Sequence, residues 1–180
     1  ILDFLGIRYL VSGYPLDERT FPKVWSGTVS SKEVPLAIYE NRNARRLLSF
    51  ADRVRFTADG GDAIFSALKA EDFSGLWADC PKPCTAGERH FGSGEIAFLE
   101  RKNTRLRAKT TAASPAFLIF SQNHLPGWRA FIDGREVARY TVNTVFLGIE
   151  VPAGEHEVVF AYGNPCAGRS FVRCLASLVR

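Results

Sequence analysis

Apolar and polar residues alternate along most of this chain with a period of two, the signature of strands that bury one face. The pattern predicts strands over 6–12 (GIRYLVS), 35–41 (PLAIYEN), 53–58 (RVRFTA) and 94–101 (GEIAFLER). It continues over 104–112 (TRLRAKTTA), 116–122 (AFLIFSQ), 128–133 (WRAFID), 135–142 (REVARYTV), 144–151 (TVFLGIEV) and 156–162 (HEVVFAY). Asp133-Gly134 reads as a two-residue hairpin turn, because both central positions of such a turn need positive φ. Pro152-Ala153-Gly154 links the next pair, with Pro presetting φ and Gly supplying the reversal. Helical periodicity is confined to two stretches. DAIFSALKAEDF (62–73) carries Ile64, Phe65, Leu68 and Phe73 near a 3.6 period, with Asp62 placed to cap its start. SFVRCLASLVR (170–180) puts Phe171, Leu175, Leu178 and Val179 on one face. The segments 13–34 and 79–94 hold Pro, Gly and Ser and read as loops.

Many short strands with turn signals between them predict a mainly β fold. We expect an antiparallel β-sandwich, jelly-roll-like, with one packed helix in the first half and a short C-terminal helix. Residues 1–93 form a first lobe of strands plus the 62–73 helix, sharing the sheet. Residues 94–165 form the sandwich core and 166–180 a tail, in one compact domain.

Composition narrows the classes. A hydrophobic content of 46% over 180 residues fills one core, and 14 Phe, 5 Tyr and 3 Trp need burial, which argues against disorder. The longest apolar runs, such as AFLIF (116–120), fall far short of the roughly 18 to 20 residues that span a bilayer. The opening ILDFLGIRYLV has no basic lead-in or small-residue cleavage site, so it does not read as a signal peptide. With no Met anywhere, the chain is expected to be an internal segment of a longer protein.

The net charge of +4 comes largely from two basic clusters. One holds Arg42, Arg45, Arg46, Arg53 and Arg55, the other Arg101, Lys102, Arg105, Arg107 and Lys109. Their alternation with apolar residues predicts solvated strand faces, with attraction to an anionic membrane surface as the second reading. No nucleic-acid reading element accompanies them, so nucleic acid is not an expected partner.

The densest signal is HLPGWRAFIDG (124–134). Trp128 has two readings: a core anchor at a strand corner, or a platform on which a glycan stacks beside His124 and Asn123. Pro126 and Gly127 fix the corner, Asp133 and Gly134 the following turn, and Gly154 and His156 the next, with His156 expected to orient its turn by a hydrogen bond. His90, His124 and His156 are dispersed, and no nucleophile motif or phosphate loop accompanies them, so this segment is read as non-catalytic. Cys80 and Cys84, in C-P-K-P-C, have three intervening residues, which suits neither a redox pair nor the tightest zinc knuckles. A zinc site using them with His90 lacks an obvious fourth ligand, and no metal or cofactor is expected.

The order LGIRYLVSG, IYENRNARRLLSF, DAIFSALKAEDF, LIFSQNHLPGWRAFIDGREV and VNTVFLGIEVPAGEHEVVFAYGN resembles the YfhO-type bacterial membrane proteins. The most specific part is PGW…DG…N…PAGEH…Y over 126–162; Arg45-Arg46 stands where the family tends to have Pro-Arg. The resemblance implies an extracytoplasmic domain of a polytopic protein related to membrane glycosyltransferases that use polyprenyl-phosphate sugars. The catalytic loop would lie in the membrane part, and this domain would assist glycan or acceptor binding. The implied partners are the membrane part of the same chain, a glycan or polyprenyl-phosphate sugar, and the anionic membrane surface. Residues 166–180 would then lead into a membrane helix. Outside the membrane a Cys80–Cys84 disulfide is expected, while Cys166 and Cys174 stay free. The alternative function is a carbohydrate-binding module of a secreted enzyme.

Overall fold

The computed structural model describes residues 2–3, 5–29, 33–71, 75–79 and 85–163. All four cysteines, and with them the expected Cys80–Cys84 disulfide, lie outside the described residues. So do Phe73 and the expected tail 166–180 with its helix. The chain divides into two compact units, 1–47 and 48–180.

In the first unit β1 (Tyr9–Ser12), β2 (Lys23–Val29) and β3 (Val34–Glu40) form an antiparallel sheet in the order β1-β3-β2. β2 falls in the stretch read as a loop. Ser26 and Gly27 interrupt its alternation and nearly all of it is exposed, so it is a strand through its pairing with β3 rather than through its own pattern. Asn41, buried just after β3, braces this unit. Its Nδ2 donates to Asp3 Oδ1 (2.8 Å) and to the Ile7 carbonyl (3.0 Å), and its Oδ1 accepts from the Asn43 N–H (3.1 Å).

The second unit opens with β4 (Leu48–Ala51), β5 (Arg53–Thr57), α1 (Gly61–Ala70), β6 (Trp77–Asp79) and β7 (Gly87–His90). It continues with β8 (Gly94–Lys102), β9 (Arg105–Ala112), β10 (Ala116–Phe120) and β11 (Trp128–Ile132). The last strands are β12 (Arg135–Val137), β13 (Tyr140–Val142), β14 (Phe146–Val151) and β15 (Gly154–Tyr162). A seven-stranded sheet runs β4-β10-β14-β13-β6-β5-β7 and a five-stranded sheet β12-β11-β15-β9-β8. All pairings are antiparallel except β5–β6, whose parallel connection is made by α1.

The sheets stack as a sandwich. Phe120 on β10 meets Trp128 on β11 edge-on (5.3 Å, 89°) and Phe160 on β15 (4.7 Å). The opposite face of the seven-stranded sheet is also apolar, which is why AFLIF is buried at every position. There Phe117 packs with Phe56 (5.7 Å), Phe91 (5.3 Å) and Tyr140 (5.6 Å), and Gly148 makes room, since a Cβ there would lie 2.5 Å from the Phe117 ring.

Several expectations change. Residues 135–142 were predicted as one strand, but the chain crosses between sheets at Ala138-Arg139, so β12 and β13 belong to different layers. Pro152–Gly154 likewise carries the chain from one sheet to the other, with Gly154 at φ +118. β4 and β6 are too short to show a period, and β7 is exposed throughout. Asp62 does not cap α1: Gly60 holds the N-cap position at φ +84 without a side-chain bond, and Asp62 sits in the first turn. Ile64 and Leu68 are buried, whereas Phe65 is 52% exposed, because a helix packed on one side buries a narrower stripe than its apolar residues span. Among the described residues no helix is long and apolar enough to cross a membrane.

Candidate functional site

Residues 121–127 carry the chain from β10 to β11. The His124 N–H donates to the Val145 carbonyl (2.7 Å), and the Trp128 N–H donates to the Leu125 carbonyl (3.1 Å), closing a turn around Pro126-Gly127. Space dictates Gly127, since a Cβ there would lie 2.3 Å from the Gly163 carbonyl oxygen and 2.6 Å from the Tyr162 ring. The corner holds Trp128 at 3% exposure, with Phe120 at 5.3 Å and Tyr162 at 5.4 Å from its ring. Arg139 Nη1 donates to the Trp128 carbonyl, tying the sheet-to-sheet crossing to this corner. A buried ring has no face to offer a sugar, so Trp128 is a core anchor and leaves the expected glycan-contact set. Asn123 is exposed. His124 is half-buried with Nδ1 2.6 Å from Thr141 Oγ1. Burial, helped by the nearby charge of Arg139, pushes its pKa below the ordinary histidine value, against an opposing pull from Asp79.

The other end of the five-stranded sheet holds the Asp133-Gly134 turn, with φ of +49 and +78. Asp133 Oδ1 accepts the Glu157 N–H (2.9 Å), and Oδ2 lies 2.7 Å from His156 Nδ1. His156 Nε2 lies 3.2 Å from the Ala153 carbonyl. Both partners of the ring are acceptors, an arrangement that favours the protonated imidazolium, which donates from both nitrogens. The Asp133 hydrogen bond raises the His156 pKa, and the same bond, with the Glu157 N–H, lowers that of Asp133. This looks like a catalytic pair, yet the ring has no nitrogen left for a third group. It is a clamp joining the β11–β12 turn to β15.

Asn143, the asparagine of the family-like motif, does work that the sequence does not announce. It is buried at φ +50, its Oδ1 accepts the Trp77 N–H (2.7 Å) and its Nδ2 donates to the Gly75 carbonyl (3.2 Å). It thereby fixes the start of β6. Members of both basic clusters pair with carboxylates: Arg107 with Glu157 (2.9 Å), Lys109 with Glu155 (2.7 Å), and Arg55 with Glu71 and Glu88, whereas Arg45 is partly buried and burial lowers its pKa. Between them Val54, Phe56, Leu106 and Ala108 are buried. Arg89 lies 3.6 Å above the Phe56 ring, and both it and Tyr140 bond Glu150 Oε1 (2.9 and 2.7 Å). Among the described residues no group of three or more His, Cys, Asp or Glu is placed to hold a metal, and His90 lies 3.6 Å from Glu88.

An exposed tryptophan is instead Trp25 on β2, at 46% exposure. Its ring rests against Gly27, where a Cβ would come within 2.6 Å of it. The register aligns Val11, Ile38 and Trp25 across the sheet, and two residues further along β3 is Glu40, opposite Tyr9. Glu40 accepts from Arg8 Nη2 (3.0 Å) and lies 3.5 Å from Arg42 Nε. An aromatic ring and a carboxylate flanked by two guanidinium groups thus share one face. The missed strand hid this grouping.

No curated protein and no solved structure matches the chain. Over residues 94–170, which contain all of β8 to β15, it matches the model of the family described as bacterial membrane protein YfhO, the resemblance that its Pro-Gly-Trp to Tyr-Gly-Asn motifs carry.

Proposed function

We propose that this chain is a non-catalytic, extracytoplasmic domain of a polytopic membrane protein related to glycosyltransferases that use lipid-linked sugars, and that it assists transfer by holding the glycan or acceptor. The observation that carries the glycan reading is the face of Trp25. Pyranose rings present axial C–H groups that stack on indole, and their hydroxyls pair with carboxylates and guanidinium groups. Glu40, with Arg8 and Arg42, stands about 7 Å along the strand from the Trp25 row, a sugar's length away. Asn123 and His124 remain as a second polar contact at the β10–β11 corner, without Trp128.

The test is calorimetric titration with neutral cell-envelope oligosaccharides. Trp25→Ala is expected to weaken binding more than tenfold with an unchanged unfolding midpoint, and Trp128→Phe to leave binding unchanged. Undiminished binding by Trp25→Ala would remove the assignment. The side of the membrane is read separately, by fusing an alkaline phosphatase reporter within the domain of the full-length protein. Phosphatase activity is expected, and an inactive fusion that folds would place the domain in the cytoplasm.

A further inference from the structure

We infer that the β10–β11 corner end of the five-stranded sheet rests on an anionic lipid surface. This deepens the membrane-domain reading proposed above and rests on it. Four features meet at this end. The turn 125–128 presents Leu125 at 47% exposure, and Tyr162 at 37% lies beside it against Gly127. The Tyr162 N–H donates to the Thr104 carbonyl (2.8 Å), which brings the β8–β9 hairpin tip alongside. That tip carries Arg101, Lys102 and Arg105, and the register sets Arg105 and Arg129 on either side of Ala161. Lys102 and Arg105 share Glu100 (2.7 and 3.3 Å) and Arg129 pairs with Glu136, so the four cations outnumber the carboxylates there.

The opposite end has no such excess. Glu95, Asp133, Glu155 and Glu157 gather around the two turns, against Arg107, Lys109 and Arg135, with His156 on Asp133. The sheet is therefore polarised along its strands, basic and apolar at one end and close to charge balance at the other. The Gly163 N–H donates to the Gly127 carbonyl (2.9 Å), closing this end of the sheet against the corner. A leucine on a turn and a tyrosine at a strand end, ringed by long basic side chains, are what an interface of acyl boundary and phosphate headgroups receives. An acidic protein surface would satisfy the cations but not the two exposed apolar side chains, so a lipid surface is the better fit.

The experiment is co-sedimentation of the 180-residue chain with phosphatidylglycerol-containing vesicles and with pure phosphatidylcholine vesicles, at low and high salt. Binding is expected for the anionic vesicles alone, with loss at high salt. The triple variant Arg101→Ser, Lys102→Ser, Arg105→Ser should lower partitioning on the order of 10- to 100-fold, and Leu125→Ser severalfold. The pair Lys109→Ser, Arg135→Ser at the balanced end should change it less than twofold. Equal binding by the triple variant, equal losses at both ends, or no binding to anionic vesicles would each overturn the inference. Unfolding midpoints of all variants are compared first, and Leu125→Ser serves as the independent arm should the triple variant fold poorly. Sugar binding at Trp25 is measured without lipid, so either assignment can fail while the other stands.

Discussion

Replacing Trp128 with alanine empties the largest aromatic site between the two sheets. The ring is 3% exposed and lies edge-on to Phe120 and Tyr162 at 5.3 and 5.4 Å, so alanine forfeits the burial of the indole and both ring contacts. Truncation of a large buried aromatic costs about 3–5 kcal/mol, of which the two edge contacts supply about 0.5–1.5 each. The Arg139 bond to the Trp128 carbonyl is made to backbone and survives the change. Against a total stability of about 5–15 kcal/mol, the loss removes a large share. At a urea dependence of about 2 kcal/mol per molar, the midpoint should fall by about 1.5–2.5 M. Far-ultraviolet circular dichroism is the readout, because fluorescence would report the missing indole itself. Trp128→Phe keeps a ring against Phe120 and should cost only about 1–2 kcal/mol. A loss below about 1 kcal/mol for the alanine variant would show that the corner closes without the ring.

Two further outcomes follow from the turns. His156, its pKa raised above 6.5 by Asp133, contributes stability that is complete below that value and lost as pH rises through its folded pKa. Asp133, lowered below 3.8, contributes above that value and loses it as pH falls, so the clamp is strongest between about 3.8 and 6.5. The melting difference between the native chain and His156→Ala should accordingly be larger at pH 5.5 than at pH 9, and a difference that is flat or grows with pH would remove the imidazolium. Thr144 sits at φ +67, a conformation its branched Cβ resists, so Thr144→Gly should stabilise by about 0.5–1 kcal/mol, or roughly 1–4 °C in Tm. A fall in Tm would mean that its methyl packing outweighs the backbone relief.

What was legible in the sequence was what neighbouring residues decide. RLRAKTTA alternates strictly because it buries one face against the other sheet, and HEVVFAY is marked by its buried Val158-Val159-Phe160 run; both are strands. KVWSGTV and GERH bury almost nothing, and only their partners β3 and β5 make them strands, so no local pattern could mark them. The split of 135–142 was hidden for a related reason. Alternation records which residues are buried, and only a slip of phase, Val137 on one and Tyr140 and Val142 on the other, marks where the chain passes from one layer into another.

The same division governs the candidate sites. Asp133-Gly134 can be read locally, because a backbone at positive φ selects its residue types wherever it occurs. Gly127 cannot, since what excludes a side chain there is the Gly163 carbonyl and the Tyr162 ring, far along the chain. Nor can Gly27, whose space is filled by an indole on a strand without a burial pattern. Trp128 and Trp25 illustrate the consequence. Each stands near a glycine, but at the corner the glycine lets another strand close over the tryptophan, while on β2 it lets the ring lie down on its own strand with the rest exposed. The residue pair is similar in the two places and the outcome opposite, because what separates a core anchor from a platform is whether a second layer arrives.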